Sequence, residues 1–140
     1  KSLGAIPLIL SAAEHDYVTA GISHLPHVIS ASLVNLVKEK DNAEGIMKLI
    51  AAGGFKDITR ISSSSPMMWE HICMTNKANI LSLLDNYMET LQDIRRRIST
   101  LDSRATYDFF ESARARRVSH HRHTARFPAD QSEKYRDHTQ

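Results

Sequence analysis

Apolar residues recur along most of this chain at steps of three and four, the spacing that gives an α-helix one buried stripe. Ser11-Ala12-Ala13-Glu14 has the S-x-x-E form of a capping box, so a helix is expected from about Ala12. Val18, Ile22, Leu25, Ile29, Leu33 and Leu36 carry its stripe onward. Pro26 interrupts that run: it removes a backbone donor and clashes with the carbonyl of Ile22, which predicts a kink or break. Ala20 and Gly21 lie just before it, small enough to let another helix approach. A polar turn over residues 38–42 follows, with Asp41 or Asn42 able to cap a short helix through Ile46, Leu49 and Ile50. Gly53 is its expected stop, and Gly54 to Ser64 reads as a polar loop. Ser65 is a good N-cap with Pro66 at the first helical position, and that helix carries Met67, Met68, Trp69, Ile72 and Cys73 to about Met74.

From Asn79 to Leu101 the pattern is the most regular. Ile80, Leu84, Tyr87, Leu91, Ile94, Ile98 and Leu101 form a heptad seam, widened by Leu81, Leu83 and Met88. Such a seam packs on another long helix, in the same chain or across a dimer. Asp102 or Ser103 can cap a last helix through Tyr107, Phe109 and Phe110 to about Arg117. Before all of these, Ile6 to Leu10 is short and β-prone, an edge strand or extended lead-in whose sheet partner would lie outside this sequence. The pattern predicts an all-α fold: residues 1–10 as a strand or linker remnant, 11–118 as one helical domain with long heptad-patterned helices, and 119–140 as a disordered tail.

Composition narrows the function. At 140 residues with 41% apolar content the chain can build one core. A net charge of +2 is too small to imply nucleic acid for the whole chain. The basic, His-rich tail holds only Phe127 and Tyr135 as aromatics, which argues against a stacking platform for bases. Cys73 is the single cysteine, so no internal disulfide is possible; that fits a reducing, cytoplasmic setting. No apolar run approaches the roughly 20 residues of a membrane span.

Candidate chemistry gathers in two stretches. His24 and His27 share a helix face on either side of Pro26, where a kink would open carbonyls and a concavity. Either a ligand site or a pair of ordinary structural histidines fits that spacing. Zinc is disfavoured, because no cysteine or acidic pair stands at ligand spacing. Arg60 is the only arginine before Arg95. Its guanidinium can grip a carboxylate through two parallel hydrogen bonds, or pair with Asp57, or do both. Ser62 to Ser65 beside a helix N-terminus adds donors, and Trp69 brings an indole N–H to a pocket edge. No G-x-G-x-x-G follows a strand, and no P-loop or G-x-S-x-G is present, so nothing here binds a dinucleotide unaided.

His15-Asp16, Ser23-His24-Leu25-Pro26-His27, Gly53-Gly54-Phe55-Lys56-Asp57-Ile58-Thr59-Arg60-Ile61, Ser65-Pro66, Trp69 and Asn76-Lys77 stand in an order and spacing that resembles the C-terminal domain of prephenate dehydrogenases, over about residues 1–117. Lys56 departs from the arginine frequent there. The resemblance implies a helical domain that forms an interlocked homodimer and supplies part of the site for oxidative decarboxylation of prephenate, or arogenate in some members. It implies that Arg60 holds a substrate carboxylate, that His24 and His27 line the pocket, that Trp69 reaches in from the dimer partner, and that Asp57, with Ser65, supports the segment. It also implies that the catalytic histidine and the NAD or NADP site belong to an N-terminal domain outside this sequence, so this chain alone would be inactive. The alternative is a non-enzymatic helical homodimer or interaction module, with the heptad seam as its working surface.

Overall fold

The computed structural model describes residues 8–123, with side-chain surroundings given through residue 118. Every regular element among them is helical: α1 (Ala12–Thr19), a π-turn (Ala20–His24), α2 (Leu25–Lys40), α3 (Ile46–Leu49), α4 (Gly53–Thr59), a 3-10 turn (Arg60–Ser63), α5 (Pro66–Thr75), α6 (Lys77–Ser99) and α7 (Ser103–His123). Residues 8–10 form no strand, and the rest of the predicted strand lies outside the described residues, as does the tail from residue 124. The chain divides into two compact units, residues 1–89 and 90–140, with the boundary inside α6.

The first unit begins with the expected capping box. The Ser11 hydroxyl accepts from the Glu14 amide at 3.2 Å and the Glu14 carboxylate accepts from the Ser11 amide at 2.9 Å. These bonds favour the ionised carboxylate, and they hold Glu14 below its ordinary value. Pro26 does not break the helix. The chain instead widens into one π-turn, in which the Leu25 amide reaches back to the carbonyl of Ala20. The wider turn relieves the clash a proline ring makes with the preceding turn and accommodates the missing donor. Ala12 to Lys40 is therefore one helical run of 29 residues. By length and hydropathy alone it could cross a membrane, although no single apolar stretch in it reaches that length. It carries the histidine pair and packs against α3, α4 and the 3-10 turn.

Beyond α2 the expected turn is built largely by one side chain. The Asp41 carboxylate accepts from the amides of Asn42, Met47 and Lys48 at 3.0, 2.8 and 3.1 Å, while the Asn42 side chain accepts from Ile46 at 3.1 Å. Both predicted caps act together. The Met47 bond is the main reason the Asp41 carboxyl is held below the usual range. Gly45 takes the left-handed conformation, φ +68°, at this corner. Gly53, expected as a helix stop, instead opens α4 with Ala52 as its N-cap, and the segment read as a loop is helical from Gly53 to Ser63. The reason is that α3 ends after one turn without a left-handed residue, so the glycine pair is free to take helical angles. Thr59 closes α4 by donating to the Phe55 carbonyl at 2.6 Å. Ser65 and Pro66 start α5 as the sequence predicts, the Ser65 hydroxyl accepting from Met68 at 3.4 Å.

Little apolar surface is sealed. Among the described residues Ala20 and Ile80 are the buried apolar ones, joined by the buried polar Ser30 and Thr59. The small residues before Pro26 act as expected: a methyl at Gly21 would sit 3.7 Å from Leu83 of α6, ordinary contact distance.

In the second unit, α6 ends in a Schellman turn: Asp102 donates to the Arg97 carbonyl and Leu101 to that of Ile98. Leu101 occupies the left-handed position, φ 54°, where glycine is the usual choice. Asp102 then caps α7, accepting from the Ala105 amide at 2.9 Å. Arg97 ties the corner, pairing with Asp93 at 2.7 Å and donating to the Ala105 carbonyl at 2.9 Å; Arg96 also pairs with Asp93. Helix α7 runs to His123 rather than Arg117, so the first residues expected in the tail continue the helix.

Candidate functional site

A cavity of about 590 Å³ opens in the first unit between α2, the 3-10 turn and α5. Its size suits a small organic ligand. Val28, Val34, Ile61 and Pro66 make apolar wall, and His27 and Trp69 supply rings. Glu70 is the charged residue in its lining. Cys73 also faces it and is half-buried.

The centre of the arrangement is an aromatic group. The rings of His27 and Trp69 stack with centroids 3.7 Å apart and planes 25° apart, and His24 meets Trp69 edge-on at 6.0 Å. Each ring is placed by its backbone. His27 lies one residue after Pro26, and its Nδ1 donates to the Ser23 carbonyl at 2.9 Å. Trp69 sits in the first turn of α5, where the Ser65 cap and Pro66 set the helix direction. Its indole N–H is buried and has no acceptor among the described residues. His24 closes the π-turn, with Nδ1 3.2 Å from the side-chain nitrogen of Asn76. Burial pushes the His24 imidazole below its ordinary value; the Asp16 carboxylate opposes this, and His27 and His15 add to it.

The structure brings some of the predicted residues together and leaves others apart. His24, His27 and Trp69 form one cluster, and His27 and Trp69 line the cavity. The expected route for Trp69 was from a dimer partner; within one chain its ring already lies on His27. Arg60 is exposed on the 3-10 turn and precedes the wall residue Ile61 without lining the cavity itself. No hydrogen bond or ion pair joins it to Asp57, which is exposed on α4. Ser65 acts as a helix cap. Asn76 was legible only as part of a motif; its contact with His24 spans 52 residues and left no local pattern to read. No three His, Cys, Asp or Glu side chains among the described residues gather as a metal site.

A family model described as the dimerization domain of prephenate dehydrogenase matches residues 11–113. The chain belongs to that family. Prephenate dehydrogenase of Bacillus subtilis is 42% identical over 105 residues, which is 75% of this chain and 28% of that protein. Cyclohexadienyl dehydrogenase of Zymomonas mobilis is 36% identical over 121 residues, 85% of this chain and 41% of that protein. Among solved structures, prephenate dehydrogenase from A. aeolicus in complex with hydroxyphenyl propionate and NAD+ aligns with a TM-score of 0.78 at 28% identity, covering 84% of this chain and 41% of that one. The chain thus spans well under half the length of these relatives. The all-α fold and membership of an oxidoreductase family follow from these likenesses.

Proposed function

We propose that this chain is the substrate-binding and dimerisation part of an NAD(P)-dependent prephenate dehydrogenase of tyrosine biosynthesis, working in the cytoplasm as a homodimer. Its substrate is a cyclohexadienyl acid, prephenate in the first instance and arogenate as the alternative. NAD or NADP would be held by another part of the parent protein, because the described residues hold no strand–glycine-loop–helix unit that could cradle a pyrophosphate. On this reading the chain alone binds the substrate class without turning it over.

One observation carries the proposal: two rings brought together from distant parts of the sequence, His27 and Trp69, stack in the wall of a cavity of suitable size, with Arg60 at the residue next to that wall. Stacked rings offer an aromatic or dienyl ligand a flat face. An exposed guanidinium with no hydrogen bond or ion pair among the described residues suits a carboxylate. Glu70 in the lining disfavours an anion there, which assigns the carboxylate to the Arg60 side of the site rather than to the cavity interior.

The test is titration of the chain with hydroxyphenyl propionate, the ligand of the A. aeolicus relative, followed by the fluorescence of Trp69 and by calorimetry. Arg60→Ala should weaken binding at least tenfold, the loss of a charge-assisted hydrogen bond worth about 1.5–3 kcal/mol. It should leave the melting temperature unchanged, because Arg60 is exposed and makes no hydrogen bond or ion pair among the described residues. Equal binding by the variant would sink the assignment of Arg60. An absence of binding alongside clean self-association would favour the non-enzymatic dimer.

A further inference from the structure

We propose that Asn76 is a positioning residue that holds His24 neutral with its proton on Nε2, so that the two histidines beside Trp69 present opposite faces, a donor from His24 and an acceptor from His27. The inference deepens the ligand-site reading above and rests on it for its functional meaning, but the hydrogen-bond logic stands without it.

The argument starts from groups that have no choice. A backbone carbonyl can only accept. The Asn76 side-chain nitrogen lies 2.7 Å from the Asp16 carbonyl, so the amide must be turned with its NH₂ toward α1. Its oxygen then faces the Asn79 side-chain nitrogen at 2.8 Å and accepts from it. With the amide fixed at both ends, its second N–H meets His24 Nδ1 at 3.2 Å. Two donors cannot share that contact, so Nδ1 must offer its lone pair and the His24 proton must sit on Nε2. A doubly protonated ring would set N–H against N–H. Removal from water and the neighbouring His27 and His15 favour the same uncharged state, and Asp16 is the one group acting on His24 that opposes it.

His27 is fixed the other way by the same rule. Its Nδ1 lies 2.9 Å from the Ser23 carbonyl, so that nitrogen carries a proton and the neutral ring is left with a lone pair on Nε2. One tautomer is set from within the turn and the other by a side chain at the α5–α6 junction. The chemical consequence is selective. His24 suits a carboxylate or keto oxygen, and His27 suits a hydroxyl. Neither ring in this state adds charge, so recognition of net negative charge falls to Arg60.

The test is the histidine side-chain ¹H–¹⁵N correlation spectrum of the full chain, recorded at about pH 8, above the ordinary imidazole range. The expected spectrum shows His24 protonated on Nε2 and His27 on Nδ1. Asn76→Asp replaces the donor with an acceptor. His24 should then move its proton to Nδ1 and its titration midpoint should rise, with the His27 pattern unchanged. Asn76→Ser, which keeps a shorter donor, serves as the second variant should the charge disturb folding; it should retain more of the Nε2–H form than Asn76→Asp. Binding of hydroxyphenyl propionate should fall about tenfold in Asn76→Asp, the loss of one donor. A wild-type His24 protonated on Nδ1, or one indifferent to both substitutions, overturns the proposal. Expected tautomers without ligand binding would sustain the positioning role of Asn76 and count against the ligand-site reading.

Discussion

The two units stabilise themselves in different ways. In residues 1–89 the corners are tied by specific polar contacts: the Ser11–Glu14 box, the Asp41 carboxylate on three amides, and Asn76 bridging Asp16 and His24. The apolar core there is small, with Ala20 and Ile80 buried. In residues 90–118 no apolar side chain is buried, and Leu91, Ile98, Leu101, Tyr107 and Phe110 are 46–88% exposed. Its bonds are mostly pairs within one helix, which are individually weak. A helix pair with this pattern lacks the burial that gives helices most of their stability. The contrast lies in how the corners are held, by polar contacts between distant residues in the first unit and by pairs within a helix in the second. Both leave large apolar side chains uncovered, Ile22, Leu49 and Ile50 of the first being 71–77% exposed, and the family's dimerization-domain model spans both.

The largest predicted effect breaks the second unit without touching the first. Ile98→Asp with Phe110→Asp places charges on the uncovered face. Each buried side chain of this kind contributes about 1.5–3 kcal/mol, so association should weaken by at least about a hundredfold. Light scattering after size exclusion should show a monomer, while Trp69 fluorescence stays that of the wild type. A dimer of unchanged affinity would place the interface elsewhere.

A smaller effect tests the strained corner. Leu101 holds a left-handed conformation with its side chain 88% exposed. Glycine there should relieve about 1 kcal/mol of backbone strain, raising the midpoint of chemical denaturation. A loss of stability instead would mean that a second copy covers the leucine. The smallest effect belongs to the first unit. The Asp41 carboxyl is held below its unfolded value, chiefly by the Met47 amide. Its contribution is therefore fully present above the unfolded value, about 4, and is lost as pH falls through the lowered folded one. Hydrogen exchange should show the Met47 and Lys48 amides losing protection on acidification, and Asp41→Ala should leave them unprotected throughout.

Where structure is local, the sequence was legible. The capping box, the Ser65–Pro66 start of α5 and the heptad helix α6 all depend on residues within a turn or two of each other, and each stands where the pattern places it. The glycines were harder. Gly53 looked like a stop, yet the left-handed glycine is Gly45, and the difference lies in Asp41, which folds the chain back over that corner from a distance. Pro26 announced an irregularity but not its kind, since a kink and a π-turn answer the same missing donor. In the site, residue types pointed to His24, His27 and Trp69, while the stacking of His27 on Trp69 and the grip of Asn76 on His24 are long-range contacts with no periodic trace. Arg60 drew notice as a lone arginine; nothing in its neighbours indicated an exposed seat on a 3-10 turn.

The π-turn has a consequence for how this segment tolerates change. A wider turn holds one residue more than the α-helix it replaces, and each residue advances an ideal helix by about 100°. Because the wider turn takes up its extra residue within one revolution, α1 and α2 keep nearly the phase of a single helix, and deleting Ile22 would let them join as a regular helix with the Asp16 carbonyl still on the side of Asn76. A further residue that the turn could not take up would instead roll α1 by that angle, swing the carbonyl away and free His24 from its tether without a substitution at either residue. The turn is thus the place where this long helix can give up a residue and keep its two halves in step.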